Sequence, residues 1–174
     1  MKRLLILAVV TIGMTALVAC APAPVGDCGT DCAPDIDLAA FPEGTLSSAD
    51  LRGKVVIVDF WATWCQPCIK ELPDLNVLYY EQDPEKFAMV GITIQSGSYD
   101  DVKPFIEELG IEYPVVMGDE AVETGFGGII GFPTKFVIGP DWKIYKKYLG
   151  GDVKEDIEQD VEDLLNGAQT AQAF

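Results

Sequence analysis

Apolar positions change their spacing several times along this chain, and each spacing predicts an element. Val55, Val56, Ile57 and Val58 form an unbroken β-branched run, the pattern of a central strand buried on both faces. Behind it Ile69, Leu72, Leu75 and Leu78 recur every three residues and make one apolar helical stripe, which Pro73 should kink. "FAMVGITIQ" predicts a second buried strand. Val102, Phe105, Ile106 and Leu109 predict a helix beginning near Asp100, with Pro104 early in it. "YPVVMG" reads as a short strand and "DEAVETGF" as a short helix at most. "TKFVIG", the turn "PDW" and "KIYKKYLG" predict a hairpin. Asp152 with Glu155 resembles a capping box ahead of an amphipathic helix carrying Val153, Ile157, Val161, Leu164 and Leu165. Before all of these, apolar pieces at 36–38 and 45–46 predict a short hairpin, followed by a turn at Arg52-Gly53. Strands alternating with helices and closing on an antiparallel hairpin imply an α/β fold, a central mixed sheet with helices on both faces.

The two ends break this pattern. Residues 1–19 open with Lys2 and Arg3 and then run almost wholly apolar from Leu4 to Ala19, as a secretory signal does. The run is short for a spanning helix, which makes an uncleaved anchor the lesser reading. "LVAC", Leu17 to Cys20, resembles the bacterial lipobox, which implies cleavage after Ala19 and lipid on Cys20. Ala21 follows that cysteine where an inner-membrane retention signal would carry aspartate. Residues 20–34, rich in Pro, Gly, Ala and Asp, are expected as a flexible linker. The globular domain is expected over 35–166, and 167–174 as a frayed tail.

Composition narrows the chemistry. The 174 residues are 49% hydrophobic and 23% charged, as in globular proteins. The net charge is −16, and removal of Lys2 and Arg3 with the signal would take it to −18. Such a surface repels nucleic acid and anionic headgroups. There is no histidine.

The candidate chemistry is Cys65-Gln-Pro-Cys68. Haem attachment requires a following histidine, and residue 69 is isoleucine. Zinc would need Cys28, Cys32, Cys65 and Cys68 together, with a linker folded onto the second pair. A structural disulfide across two residues closes too small a loop to constrain much chain. Redox exchange accounts for more. The pair lies where a strand ends and a helix begins, and a helix N-terminus favours thiolate. Cys65, at the helix start, is expected to be exposed and to attack. Cys68, one turn in, is expected to be buried and to resolve the mixed disulfide. Pro67 occupies an early helical position that proline tolerates. Asp59 interrupts the apolar run between Val58 and Phe60. A buried carboxylate there would have a raised pKa and could act as general base for Cys68, whereas at a strand end it would simply reach solvent.

"VDFWATWCQPCIKELP" resembles the active site of TlpA/ResA-like thiol-disulfide oxidoreductases, thioredoxin-fold proteins of bacterial envelopes. "DLRGKVVIVDFWATWC", "VGITIQ", "DDVKPFIEELGIEYPVV", "GFPTKFVIG" and "KIYKKYLGG" resemble consecutive blocks of that family in order, covering about 35–165. The resemblance implies a thioredoxin-like fold with an N-terminal hairpin extension and a cis proline at Pro133, whose loop packs beside the cysteines. It implies substrate contacts from Trp64, Phe132 and Pro133. Asp59 matches a buried aspartate of thioredoxin itself, at a position where many relatives of this type carry asparagine. The family also implies a glutamate after the third strand, where "TIQSGS" offers Gln95 and no acid. Cys28 and Cys32 are expected to form a local disulfide, with a second exchanging dithiol as the alternative.

The reading is a membrane-tethered protein-disulfide reductase needing no cofactor and no metal. Its partners would be envelope protein disulfides, such as those of apocytochrome c, with a membrane thiol reductase as electron donor. The lack of histidine between the cysteines favours the reducing direction. The rivals are a thiol peroxidase of the peroxiredoxin class, which wants threonine or serine upstream of a lone cysteine, and a non-catalytic binding lipoprotein.

Overall fold

A computed structural model describes residues 31–41 and 44–167. The expectations for the signal segment, Cys20, Cys28 and the tail beyond 167 lie outside these residues. The strands are β1 (Asp37–Ala39), β2 (Thr45–Ser47), β3 (Val55–Trp61), β4 (Phe87–Thr93), β5 (Val115–Met117), β6 (Thr134–Ile138) and β7 (Ile144–Leu149). The helices are α1 (Ser48–Leu51), α2 (Gln66–Glu81), α3 (Tyr99–Glu108), α4 (Glu120–Gly125) and α5 (Lys154–Leu165).

Five strands form one sheet in the order β5-β4-β3-β6-β7. β3 pairs in parallel with β4 and antiparallel with β6, so the sheet is mixed and β3 is its centre. All seven residues of β3 are buried, as a β-branched run covered on both faces should be. β1 and β2 pair separately as the small N-terminal hairpin.

The period of two along β3 sorts its side chains onto two cores. Val56, Val58 and Phe60 pack with Ile138, Phe136, Val122 of α4 and Phe126 at the C-cap of that helix. Val55, Ile57 and Trp61 pack beneath α2 and α5, with Cys68, Leu72, Leu75, Ile157 and Val161. Asp59 belongs by alternation to this second face.

α2 contains Pro73 and runs on to Glu81. Two local expectations need correction. α5 is capped by Val153 without a side-chain bond, and Asp152 stands before it at φ 59° in the left-handed region. The Gly150-Gly151-Asp152 turn therefore takes the aspartate out of capping position. Packing also begins before Asp35: Ala33 is buried, its N–H donates to the Trp142 carbonyl at 2.9 Å, and Cys32 bridges Lys143.

Candidate active site

The site forms where β3 ends. Cys65 is the N-cap of α2, and the Cys68 N–H donates to Cys65 Sγ at 3.3 Å. The cysteines are joined as a disulfide with their Cα atoms 5.3 Å apart. Pro67 stands in the first helical turn, where its missing N–H would have had no intrahelical partner. Cys68 is sealed at 0% exposure. Cys65 is also buried, at 4%, which corrects the expectation of an exposed thiol. Cys65 lines a groove rather than an open surface.

That groove has a volume of about 580 Å³, and Trp64, Cys65, Ile130 and Phe132 are among its lining residues. Trp64 is 57% exposed and meets Phe132 edge to face, with ring centroids 5.4 Å apart. Ile130 is 83% exposed. The Phe132–Pro133 peptide bond is cis. The Pro133 carbonyl accepts from the Gly150 N–H at 2.8 Å, and proline has no N–H to offer. Any backbone pairing with a peptide in this groove would therefore come from Phe132 rather than Pro133.

The loop after β4 has a role that the sequence did not disclose. The Trp64 indole N–H donates to the Gln95 carbonyl at 2.8 Å, and the Thr63 N–H donates to Ser96 Oγ at 3.0 Å. This loop braces the segment that carries the cysteines.

Asp59 is fully buried in the middle of the sheet, which excludes the solvent-reaching alternative. Across the antiparallel register it faces Lys135, a buried lysine whose Nζ lies 3.7 Å from Asp59 Oδ1. Lys135 also bonds the Glu71 carboxylate from α2. Glu71 lies on α2, three residues after Cys68, and not in the loop after β4. Desolvation raises the Asp59 pKa, with Lys135 opposing it. Desolvation likewise lifts Glu71 from 4.5 to about 7, against the pull of Lys135. Tyr113, buried nearby, is pushed well above its ordinary value by desolvation and by both carboxylates, and stays protonated.

Sequence reasoning missed Lys135 and Glu71. Lys135 interrupts "TKFVIG" as Asp59 interrupts "VVIVDFW", and that signal was there to read. Glu71 had none, because a glutamate on a helix flank is usually solvated.

Cys32 is disulfide-bonded. It sits by Lys143, beyond the end of β6 that pairs with Val56. Cys65 lies past the other end of β3, about 20 Å away for a strand of this length.

Among the described residues no cluster of His, Cys, Asp or Glu suits a metal ion, and no helix is long and apolar enough to cross a membrane.

The sequence pattern of the AhpC/TSA family matches residues 30–147. The thiol-disulfide oxidoreductase ResA of Bacillus thuringiensis is 35% identical over 113 residues, 63% of this chain and 62% of that protein, so the match spans about three-fifths of this relative's length. ResA of Geobacillus thermodenitrificans is 31% identical over 132 residues, 76% of this chain and 75% of that protein. The crystal structure of a thiol:disulfide interchange protein of the thioredoxin family from Chlorobium tepidum superposes with a TM-score of 0.72 at 33% identity, covering 80% of this chain and 99% of that one. The family's pattern covers more than half of the chain and runs on into β7, and the superposed relative shares the fold; the chain therefore belongs to the AhpC/TSA family of thioredoxin-like proteins.

Proposed function

We propose that this protein is a thiol-disulfide oxidoreductase that works in the reducing direction. The observation that carries the reading is the Cys65–Cys68 disulfide at the N-terminus of α2, set in an apolar groove with a buried carboxylate behind it.

The chemistry follows from the geometry. In the reduced protein the N-terminus of α2 favours Cys65 as thiolate. That thiolate attacks one sulfur of a disulfide lying in the groove, and the other sulfur leaves as thiolate. A mixed disulfide results. Cys68 then gives up its proton, attacks Cys65 Sγ and expels the second substrate sulfur. Two electrons pass to the substrate, and Cys65–Cys68 becomes the disulfide seen here. A dithiol donor must restore the reduced state. Asp59 is the candidate base for the Cys68 proton, since it shares the buried face under α2 and burial makes it more basic than an ordinary carboxylate. Trp64, Ile130 and Phe132 give the groove an apolar lining that suits unfolded or extended peptide.

An envelope location, tethering through Cys20, apocytochrome c as substrate and a membrane reductase as donor are part of this proposal. They rest on the "LVAC" motif and on the likeness to ResA.

Insulin reduction driven by dithiothreitol tests the activity. The full chain should accelerate it, and Cys65→Ser should bring the rate to background while leaving the fold intact. Equal rates for the two would refute the reading. Peroxide consumption with no insulin reduction would replace it with a peroxidase.

A further inference from the structure

We propose that Ile130 is a specificity-determining residue: with Leu149 beside it, it selects polypeptide disulfides whose cysteine is flanked by an apolar side chain and rejects those flanked by an acid. This rests on the oxidoreductase reading above and names its substrate class.

Five large apolar side chains stand exposed among the described residues, and three of them gather at one place. Trp64 and Ile130 line the groove that holds Cys65. Leu149 stands at its edge, because Gly131 lines the same groove and a Cβ added there would lie 3.5 Å from Leu149 Cδ1. Single exposed apolar residues are ordinary, whereas a contiguous set around a reactive group marks a surface that something covers.

The loop settles which side chain is offered. Gly127 and Gly128 turn the chain at φ 79° and 82°, a path that favours glycine. After them Ile129 packs onto the core that holds Phe60 and Phe136, and Ile130 is left outside. Gly131 adds no side chain between Ile130 and Leu149. A flanking residue of a bound peptide therefore meets two aliphatic side chains.

Charge decides what that residue is. The chain carries 28 acidic and 12 basic residues, a net charge of −16, yet no residue lining the groove is charged. An acidic side chain laid against Ile130 would lose water and find no cation in the groove, and the field of the whole protein would repel it. An apolar side chain would leave water for an apolar contact and gain by it. The occupant is extended polypeptide, since the reacting cysteine must reach Cys65 with its neighbours laid along the groove.

Single-turnover reduction of short peptides tests the selection. The full chain is reduced with dithiothreitol, freed of it, and mixed with the symmetric disulfide of a blocked Ala-Xaa-Cys-Ala peptide, Xaa being leucine, serine or aspartate. Each event oxidises Cys65 and Cys68 to their disulfide and releases two peptide thiols, which are counted by chromatography. Rates are divided by those of the same peptides with dithiothreitol, which removes intrinsic differences between their sulfurs. The leucine peptide should react about tenfold faster than the serine peptide, and the aspartate peptide about tenfold slower. Ile130→Ser should cut the leucine-to-serine ratio to about threefold or less, and Ile130→Lys should bring the aspartate peptide level with serine. Val77→Ser, an exposed change on α2 outside the groove, should leave both ratios as they are. Equal rates for the leucine and aspartate peptides would overturn the proposal, as would an unchanged leucine-to-serine ratio in Ile130→Ser. A dimer in sedimentation that Ile130→Ser dissociates would also overturn it, by showing that a second copy covers this face. Reduction of none of the three peptides would refute the oxidoreductase reading and the selection with it, whereas reduction of all three alike would refute the selection alone.

Discussion

β3 presents two faces built from alternate residues of one seven-residue strand, and they do different work. Val56, Val58 and Phe60 enter an apolar core in which the Phe60, Phe126 and Phe136 rings lie with centroids 4.7–5.9 Å apart. Ile57, Asp59 and Trp61 enter the other core, where a carboxylate and a lysine are buried together. The first face gains stability from burial and ring packing. The second loses some, because two charged groups leave water and no geometry compensates for that in full. A strand can carry both only because its neighbours continue the division. β6 repeats it, with Phe136 on one side and Lys135 on the other.

Substitutions should separate the faces. Phe60→Ala should cost the most stability, about 3–5 kcal/mol for a buried aromatic, read as a lower denaturant midpoint at unchanged slope. Its effect on the pH profile of insulin reduction should be nil. Asp59→Asn should do the reverse. It should slow turnover near neutrality by about a hundredfold, within the range of general-base losses, while leaving the protein at least as stable. A destabilised Asp59→Asn protein with normal turnover would erase the distinction between the faces.

Glu71 gives a smaller effect with a defined sign. Its pKa is raised from 4.5 to about 7 on folding. The neutral form is thus preferred in the folded state, so its contribution is full below about pH 4.5 and lost as pH rises through 7. Glu71→Gln should flatten the fall in stability between pH 5 and 8 by about 1 kcal/mol, measured by denaturant titration at each pH. A steeper fall in the variant would contradict the assignment. Trp64→Ala should have the least effect on stability, within about 0.5 kcal/mol for an exposed side chain, but should raise KM for insulin.

The two faces were not equally legible in the sequence. The apolar face followed from "VVIV" and the period of two. The cysteine pair followed from a strand running into a helix, and Asp59 was visible as a charge inside an apolar run. Lys135 carries the same signature in "TKFVIG", yet its meaning depends on the register that sets it opposite Asp59, which is a tertiary fact. Glu71 depends on the rotation of α2 above the sheet, which a stripe of Ile69, Leu72, Leu75 and Leu78 defines only coarsely. Cys65 was misjudged for a related reason. A helix start is ordinarily exposed, but here Cys65 is bonded to the sealed Cys68 and is itself buried. The Asp152 capping box failed because two preceding glycines let the turn take a left-handed path.

The central claim is that Cys65 and Cys68 are a reducing couple. Equilibration of the full chain with glutathione or dithiothreitol buffers gives its reduction potential. The account predicts a value near that of thioredoxin, about −270 mV, and a value near −120 mV would contradict it.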